Sequence, residues 1–139
     1  YVSKRVKHAK ILSIDLLDFE KIENICQIKG DFTDDVSKKK IKDYFYSKVD
    51  VVMSDMAVNT TGNKNLDSIN TSELCIEAMN FSKEVLKEDG KFISKIFMGS
   101  TFNEIIHESK KIFKENKVFK PAASRKDSKE SFIICKFLR

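Results

Sequence analysis

A chain of 139 residues with 41% hydrophobic residues buries one ordinary core and gives no reason to expect two. The 26 Lys and Arg against 21 Asp and Glu leave a net charge of +5, which favours an anionic partner without singling out nucleic acid, because lysine-rich residue usage alone raises charge. No apolar stretch is long enough to span a bilayer, no signal-peptide pattern is present, and Cys26, Cys75 and Cys135 are odd in number and widely spaced; the pattern excludes a disulfide frame or zinc site and fits a soluble, intracellular protein with small buried thiols.

In chain order, Ala9 to Asp15 and Ile25 to Asp31 read as strands, Lys38 to Tyr46 as a modest helix, and Val49 to Asp55 as a third strand. Asn59 to Asn65 is a loop rich in residues that tolerate tight backbone geometry. From Asn70 or Thr71, both plausible N-caps, Leu74, Cys75, Ala78, Met79, Val85 and Leu86 recur at helical spacing. The expected stop is Asp89-Gly90, with Gly90 supplying a left-handed cap. Lys91 to Phe97 is the next strand, and Phe102, Ile105, Ile106, Ser109, Ile112 and Phe113 mark one face of another helix. Val118 to Lys120 reads as a short strand ended by Pro121, and Ser131 to Phe137 as the last strand. Alternating strands and helices predict an α/β domain, residues 1–139, with a largely parallel sheet.

Charged residues stand at the ends of the apolar strands. Asp55 closes Val49 to Asp55, Lys95 is flanked by Phe92, Ile93, Ile96 and Phe97, and Glu130 opens the last strand. Lysine is almost never buried unless paired, so Lys95 needs an explanation beyond packing. Ligands of open α/β sheets bind outside the carboxyl ends of the strands. Asp15, Asp31, Asp55 and Lys95 fall at such ends; Glu130 joins them only if its strand runs antiparallel.

These segments resemble the FtsJ/RrmJ family of S-adenosylmethionine-dependent RNA ribose 2′-O-methyltransferases. The resemblance is carried, in the family's order, by Ile14-Asp15-Leu16-Leu17, Gln27 to Phe32, Val51 to Gly62, Gly90 to Phe97, and Lys120 to Arg125 with Ser128-Lys129-Glu130. It implies a Rossmann-like methyltransferase fold with one antiparallel strand near the end of the sheet. The family uses a Lys-Asp-Lys-Glu tetrad, of which Asp55, Lys95 and Glu130 look like the last three members. Asp15 resembles the acidic residue near the cofactor's adenosine and Asp31 the carboxylate that accepts from the adenine amino group; Asp55 also looks placed to hold the methionyl amine. The family's first Lys and Gly-rich cofactor loop have no counterpart here, and the chain opens about where the helix after that loop begins. Val58 stands where the family usually has Pro, a change expected to loosen that loop.

The implied activity is methyl transfer from S-adenosylmethionine to the ribose 2′-hydroxyl of a uridine in large-subunit ribosomal RNA. A lysine serves as the base in such chemistry when its surroundings disfavour the ammonium form, which suits Lys95, with Glu130 fixing its direction. Arg125 and Lys129, just before Glu130, are expected to contact RNA phosphate, and Asn59 the target nucleotide or its own turn. The implied partner is large-subunit ribosomal RNA or the large ribosomal subunit. No membrane and no metal are expected, and a monomer is expected for the full-length protein, in the cytoplasm or in an organelle. A catalytically inactive RNA-binding or assembly module is the alternative. A Rossmann-type oxidoreductase ranks last, because its Gly-rich fingerprint is missing.

Overall fold

The computed structural model describes residues 8–17, 19–55, 63–97, 99, 101–120 and 130–139, with backbone alone for 64–68. It divides into two compact units, Tyr1–Ser47 and Lys48–Arg139.

In the first unit, β1 (Ile11–Asp15) and β2 (Ile25–Lys29) pair in parallel, Ile11 with Ile25 through Asp15 with Lys29. The carboxyl ends are tied together by the Gly30 N–H, which donates to the Asp15 carbonyl at 2.9 Å. Helix α1 (Asp35–Phe45) begins after an extended Asp34 and carries Asp35 in its first turn, where a negative charge meets the positive end of the helix dipole. It buries Ser37 and Ile41. Tyr46 closes it in the left-handed region, φ 59°, with its N–H donating to the Lys42 carbonyl.

The second unit is a four-stranded sheet in the order β3-β4-β6-β5, built from β3 (Val49–Ser54), β4 (Leu86–Phe97), β5 (Phe113–Phe119) and β6 (Glu130–Leu138). Strand β3 runs parallel to β4, and β6 runs antiparallel to both β4 and β5. The strands are mostly parallel, as the strand–helix alternation predicts, with the one reversed strand that the family resemblance implies, but they form two sheets and not one. Helices α2 (Lys64–Val85) and α3 (Phe102–Ile112) cover one face. Period-two alternation sends Phe92, Ser94 and Ile96 of β4, and Ser131, Ile133 and Cys135 of β6, into that covered layer. Phe92 and Phe113, both wholly buried, stack there with ring centroids 6.0 Å apart. Each buried aromatic of this kind contributes on the order of 2–3 kcal/mol through the area removed from water.

Most element ends differ from the sequence reading by one to three residues, including the start of α1 at Asp35 and not Lys38, and three boundaries differ by more. Helix α2 starts at Lys64 and not at Asn70 or Thr71, since nothing between them, neither Gly nor Pro, stops it. It ends at Val85 and passes straight into β4, so Gly90 lies within the strand and makes no left-handed helix cap. The β3–β4 register jumps from Val49–Leu86 to Val51–Lys91, so Lys87 to Gly90 form an irregularity in the strand. The turn-like composition is used there. A Cβ on Gly90 would lie 2.8 Å from Leu86 Cδ2 and 2.9 Å from the Lys87 carbonyl oxygen. Finally, β5 extends back to Phe113, because pairing with β6 draws the polar run Lys114 to Lys117 into the ladder.

Candidate active site

Lys95 lies on the face of β4 opposite the helices, for the same alternation that buries its neighbours Ser94 and Ile96 drives it outward. Its side chain keeps 22% of its exposure. The reversed direction of β6 brings Glu130 opposite Phe97 and Phe132 opposite Lys95, so Glu130 stands one step along the same face. The Glu130 Oε1 is 3.4 Å from Lys95 Nζ. The Lys95 ammonium is also 6.0 Å from the Phe97 ring centroid, the outer reach of a cation–π contact. Its surroundings are thus a carboxylate on one side and an aromatic ring on another.

Asp55 is exposed and follows β3 directly. The last β3–β4 pair is Ser54 with Ser94, which puts Asp55 level with Lys95 in the sheet. The ion pair of Lys95 is with Glu130; among the described residues none joins Lys95 to Asp55.

The other two carboxylates belong to the first unit and follow the carboxyl ends of its parallel strands. Asp15 Oδ1 accepts from the Leu17 N–H at 3.1 Å. Asp31 Oδ1 accepts from both the Thr33 hydroxyl, 2.6 Å, and the Thr33 N–H, 2.9 Å. The Thr33 hydroxyl, followed by its N–H, holds the Asp31 carboxyl below its ordinary value of 3.8. Sequence reasoning found Asp31 but not Thr33; the signal was the Asp-x-Thr spacing of an Asx turn. Asn59, Arg125, Lys129 and Val58 lie outside the described residues. Sequence reasoning also passed over Phe132, which strand register alone sets opposite Lys95, and Phe119, opposite Phe132 on the next strand.

A mostly parallel α/β sheet with one reversed strand, carrying a lysine–carboxylate pair at the carboxyl end of a parallel strand, is a Rossmann-like arrangement with charged groups at its ligand-binding edge. The FtsJ-like methyltransferase family model matches residues 1–138. Ribosomal RNA large subunit methyltransferase E of Pelagibacter ubique (strain HTCC1062) is 66% identical over 139 residues, the whole of this chain and 68% of that protein. The protein of the same name from Rickettsia akari (strain Hartford) is 44% identical over 125 residues, 90% of this chain and 55% of that protein. The chain therefore spans between about half and two thirds of the length of these relatives. A crystal structure of a Plasmodium falciparum protein assigned as a ribosomal RNA methyltransferase superposes with a TM-score of 0.80 at 28% identity, covering 93% of this chain and 72% of that one. The chain belongs to the FtsJ-like methyltransferase family.

S-adenosylmethionine is the cofactor that this family membership brings. Carboxylate acceptors suited to the ammonium, ribose hydroxyls and adenine amino group of that cofactor follow the carboxyl ends of parallel strands in each unit taken by itself, Asp15 and Asp31 in the first and Asp55 in the second.

Proposed function

We propose that this protein methylates the ribose 2′-hydroxyl of a uridine in large-subunit ribosomal RNA, that residues 1–139 belong to a single methyltransferase domain, and that it works in the cytoplasm. The observation that carries the reading is the Lys95–Glu130 pair, 3.4 Å apart on the face of the sheet opposite α2 and α3. One family model running through both units supports the single domain.

Asp31 and Asp15 hold the adenosine end of the cofactor. Both Thr33 contacts fall on Asp31 Oδ1, and Oδ2 is the oxygen that accepts from the adenine amino group. Asp55, level with Lys95, receives the methionyl ammonium. S-adenosylmethionine, when bound, supplies an electrophilic methyl group on a positively charged sulfur. Lys95 Nζ, as the neutral amine, would take the proton of the 2′-hydroxyl and become an ammonium, while the methyl–sulfur bond breaks as the methyl ether forms and S-adenosylhomocysteine leaves. Glu130 holds Nζ in place and stabilises the ammonium that forms. Arg125, Lys129 and Asn59 contact the RNA around the target.

The test is transfer of tritiated methyl from S-adenosylmethionine to undermethylated large ribosomal subunits, with the product nucleoside identified by mass. Lys95→Met is expected to lower the rate by at least about a hundred-fold, the scale of losing a general base, while leaving cofactor binding within about two-fold. Transfer to a base or to protein rejects the reading. RNA binding without any transfer by the unsubstituted protein favours the inactive binding module.

A further inference from the structure

Asp31 is the carboxylate proposed to meet the adenine amino group, and something must aim it. The last torsion of an aspartate is broad and nearly two-fold, so a carboxylate held by its rotamer alone points its oxygens loosely. The backbone on either side of Asp31 is fixed without the side chain. The Gly30 N–H donates to the Asp15 carbonyl at 2.9 Å, the Asp34 N–H to the Asp31 carbonyl at 3.1 Å, and the Lys38 N–H to the Asp34 carbonyl at 3.1 Å as α1 begins. Main-chain bonds therefore close the turn from Asp31 to Asp34.

Thr33 adds two bonds that end on one carboxylate oxygen, its N–H reaching Asp31 Oδ1 at 2.9 Å and its hydroxyl the same atom at 2.6 Å. The N–H bond is that of an Asx turn, and every residue but proline could supply it. The hydroxyl bond depends on Thr33 itself and is the shorter of the two. It is also the larger cause of the lowered Asp31 carboxyl, which stays ionised at neutral pH and so only accepts. Thr33 is exposed, so its hydroxyl acts through the carboxylate and not through a packed core.

Adenine and its 6-oxo counterpart differ at the atom that Asp31 would meet. A 6-amino group donates, whereas a 6-oxo group accepts and faces the carboxylate as acceptor against acceptor. A carboxylate free to turn relieves that opposition; one tied down at Oδ1 does not. A site built to receive an N–H rejects the analogue that lacks it, because its own polar group is left unpaired, and the rejection is sharpest when a neighbouring residue locks the contacting group. We propose that Thr33 is a positioning residue for the cofactor: its hydroxyl pins Asp31 Oδ1, presents Oδ2 to the purine 6-position, and so sets the preference for a 6-amino over a 6-oxo base. This deepens the cofactor assignment and rests on it for the contact between Asp31 and the adenine amino group.

Calorimetric titration of the intact protein with S-adenosylhomocysteine and with S-inosylhomocysteine, its 6-oxo counterpart, measures that preference without turnover. Thr33→Val keeps the shape and the N–H and removes the hydroxyl; Thr33→Ser keeps the hydroxyl. The unsubstituted protein is expected to prefer the adenosyl ligand by at least about ten-fold. Thr33→Val is expected to weaken the adenosyl ligand by about three-fold to about ten-fold and to leave the inosyl ligand within about two-fold, so that the ratio narrows. Thr33→Ser is expected to retain the ratio. In methyl transfer, Thr33→Val is expected to raise KM for S-adenosylmethionine and to leave kcat within about two-fold. Equal weakening of both ligands in Thr33→Val makes Thr33 a residue of the turn alone and overturns the proposal, as does a Thr33→Ser protein that behaves like Thr33→Val. A preference for the adenosyl ligand that Thr33→Val leaves unchanged overturns the role of Thr33 and leaves the cofactor assignment standing. Equal binding of the two ligands by the unsubstituted protein, or binding of neither, rejects the contact between Asp31 and the adenine amino group and the proposal with it.

Discussion

Replacing Glu130 by Gln removes one charge from the Lys95 pair while keeping the shape of the side chain, and so separates an orienting role from a structural one. At 3.4 Å, Coulomb attraction of the pair is about 1 kcal/mol in bulk water and about 5 kcal/mol at an effective dielectric of about 20. The side chains are 22% and 43% exposed, so solvent screens the pair, and its net contribution to stability is expected below about 1 kcal/mol. That corresponds to a fall in Tm of less than about 5 °C for a chain of this size. In the proposed reaction the same contact acts differently. A charge-assisted hydrogen bond contributes about 1.5–3 kcal/mol, and 3.4 Å is longer than the about 2.7–2.9 Å of a strong one, so the lower end applies. About 1.5 kcal/mol is a rate loss of about ten-fold. Single-turnover methyl transfer to large ribosomal subunits, run beside thermal unfolding, measures both. A Glu130→Gln protein with an unchanged rate, or one whose Tm falls by 10 °C or more (about 2 kcal/mol or above), refutes the orienting role and makes the pair a structural ion bridge.

Three further outcomes are expected. Gly90→Ala puts a Cβ 2.8 Å from Leu86 Cδ2, 2.9 Å from the Lys87 oxygen and 3.2 Å from the Asp50 oxygen; backbone oxygens cannot swing aside, so urea unfolding is expected to show a loss of about 1–3 kcal/mol, and an unchanged midpoint would remove the bulge from the account. Thr33→Val takes away the hydroxyl that most lowers the Asp31 carboxyl. Because the folded value is depressed, the contribution is present above 3.8 and is lost as pH falls through the folded value; carbon-detected NMR titration should show Asp31 rising towards 3.8 in the variant, with weaker binding of S-adenosylmethionine at neutral pH. Cys75 and Cys135 are 3% and 0% exposed, and burial pushes both thiols up, Cys135 to about 12. With Ellman's reagent at pH 8 only the half-buried Cys26 should react quickly in the native protein, and all three thiols in denaturant; fast reaction of a second thiol in the native state counts against the buried layer.

The strands were legible in the sequence wherever a charge interrupts an apolar run. Asp15 and Asp55 mark carboxyl ends because a strand entering a turn exchanges β-branched residues for Asp. Lys95 was legible as an anomaly, but its exposure was not: the flanking Phe92, Ile93, Ile96 and Phe97 suggest burial, whereas alternation places only Phe92 and Ile96 with the helices. Gly90 was misread because Lys87-Glu88-Asp89-Gly90 has the composition of a turn, and a turn after a helix and a bulge inside a strand demand the same residues. Only the β3 partner distinguishes them. The polar residues Lys114 to Lys117 likewise carry no local strand signal, since their place in β5 comes from β6, more than ten residues away in the chain.

Glu130 shows most clearly where local sequence ends and topology begins. A residue that opens a strand belongs to the amino end of the sheet when the strand is parallel, the end remote from ligands. Reversing β6 alone moves Glu130 to the carboxyl end of β4, across from Phe97. The same reversal sets Phe132 between Lys95 and Phe119. One antiparallel strand, inserted between β4 and β5, thus supplies both the carboxylate that holds the lysine and the ring that links it to the edge of the sheet. With β6 parallel, Lys95 would lack its carboxylate partner, and Phe132 and Phe119 would not fall in its row. The direction of this strand is therefore what sets Glu130 and Phe132 beside Lys95, and the proposed chemistry depends on it.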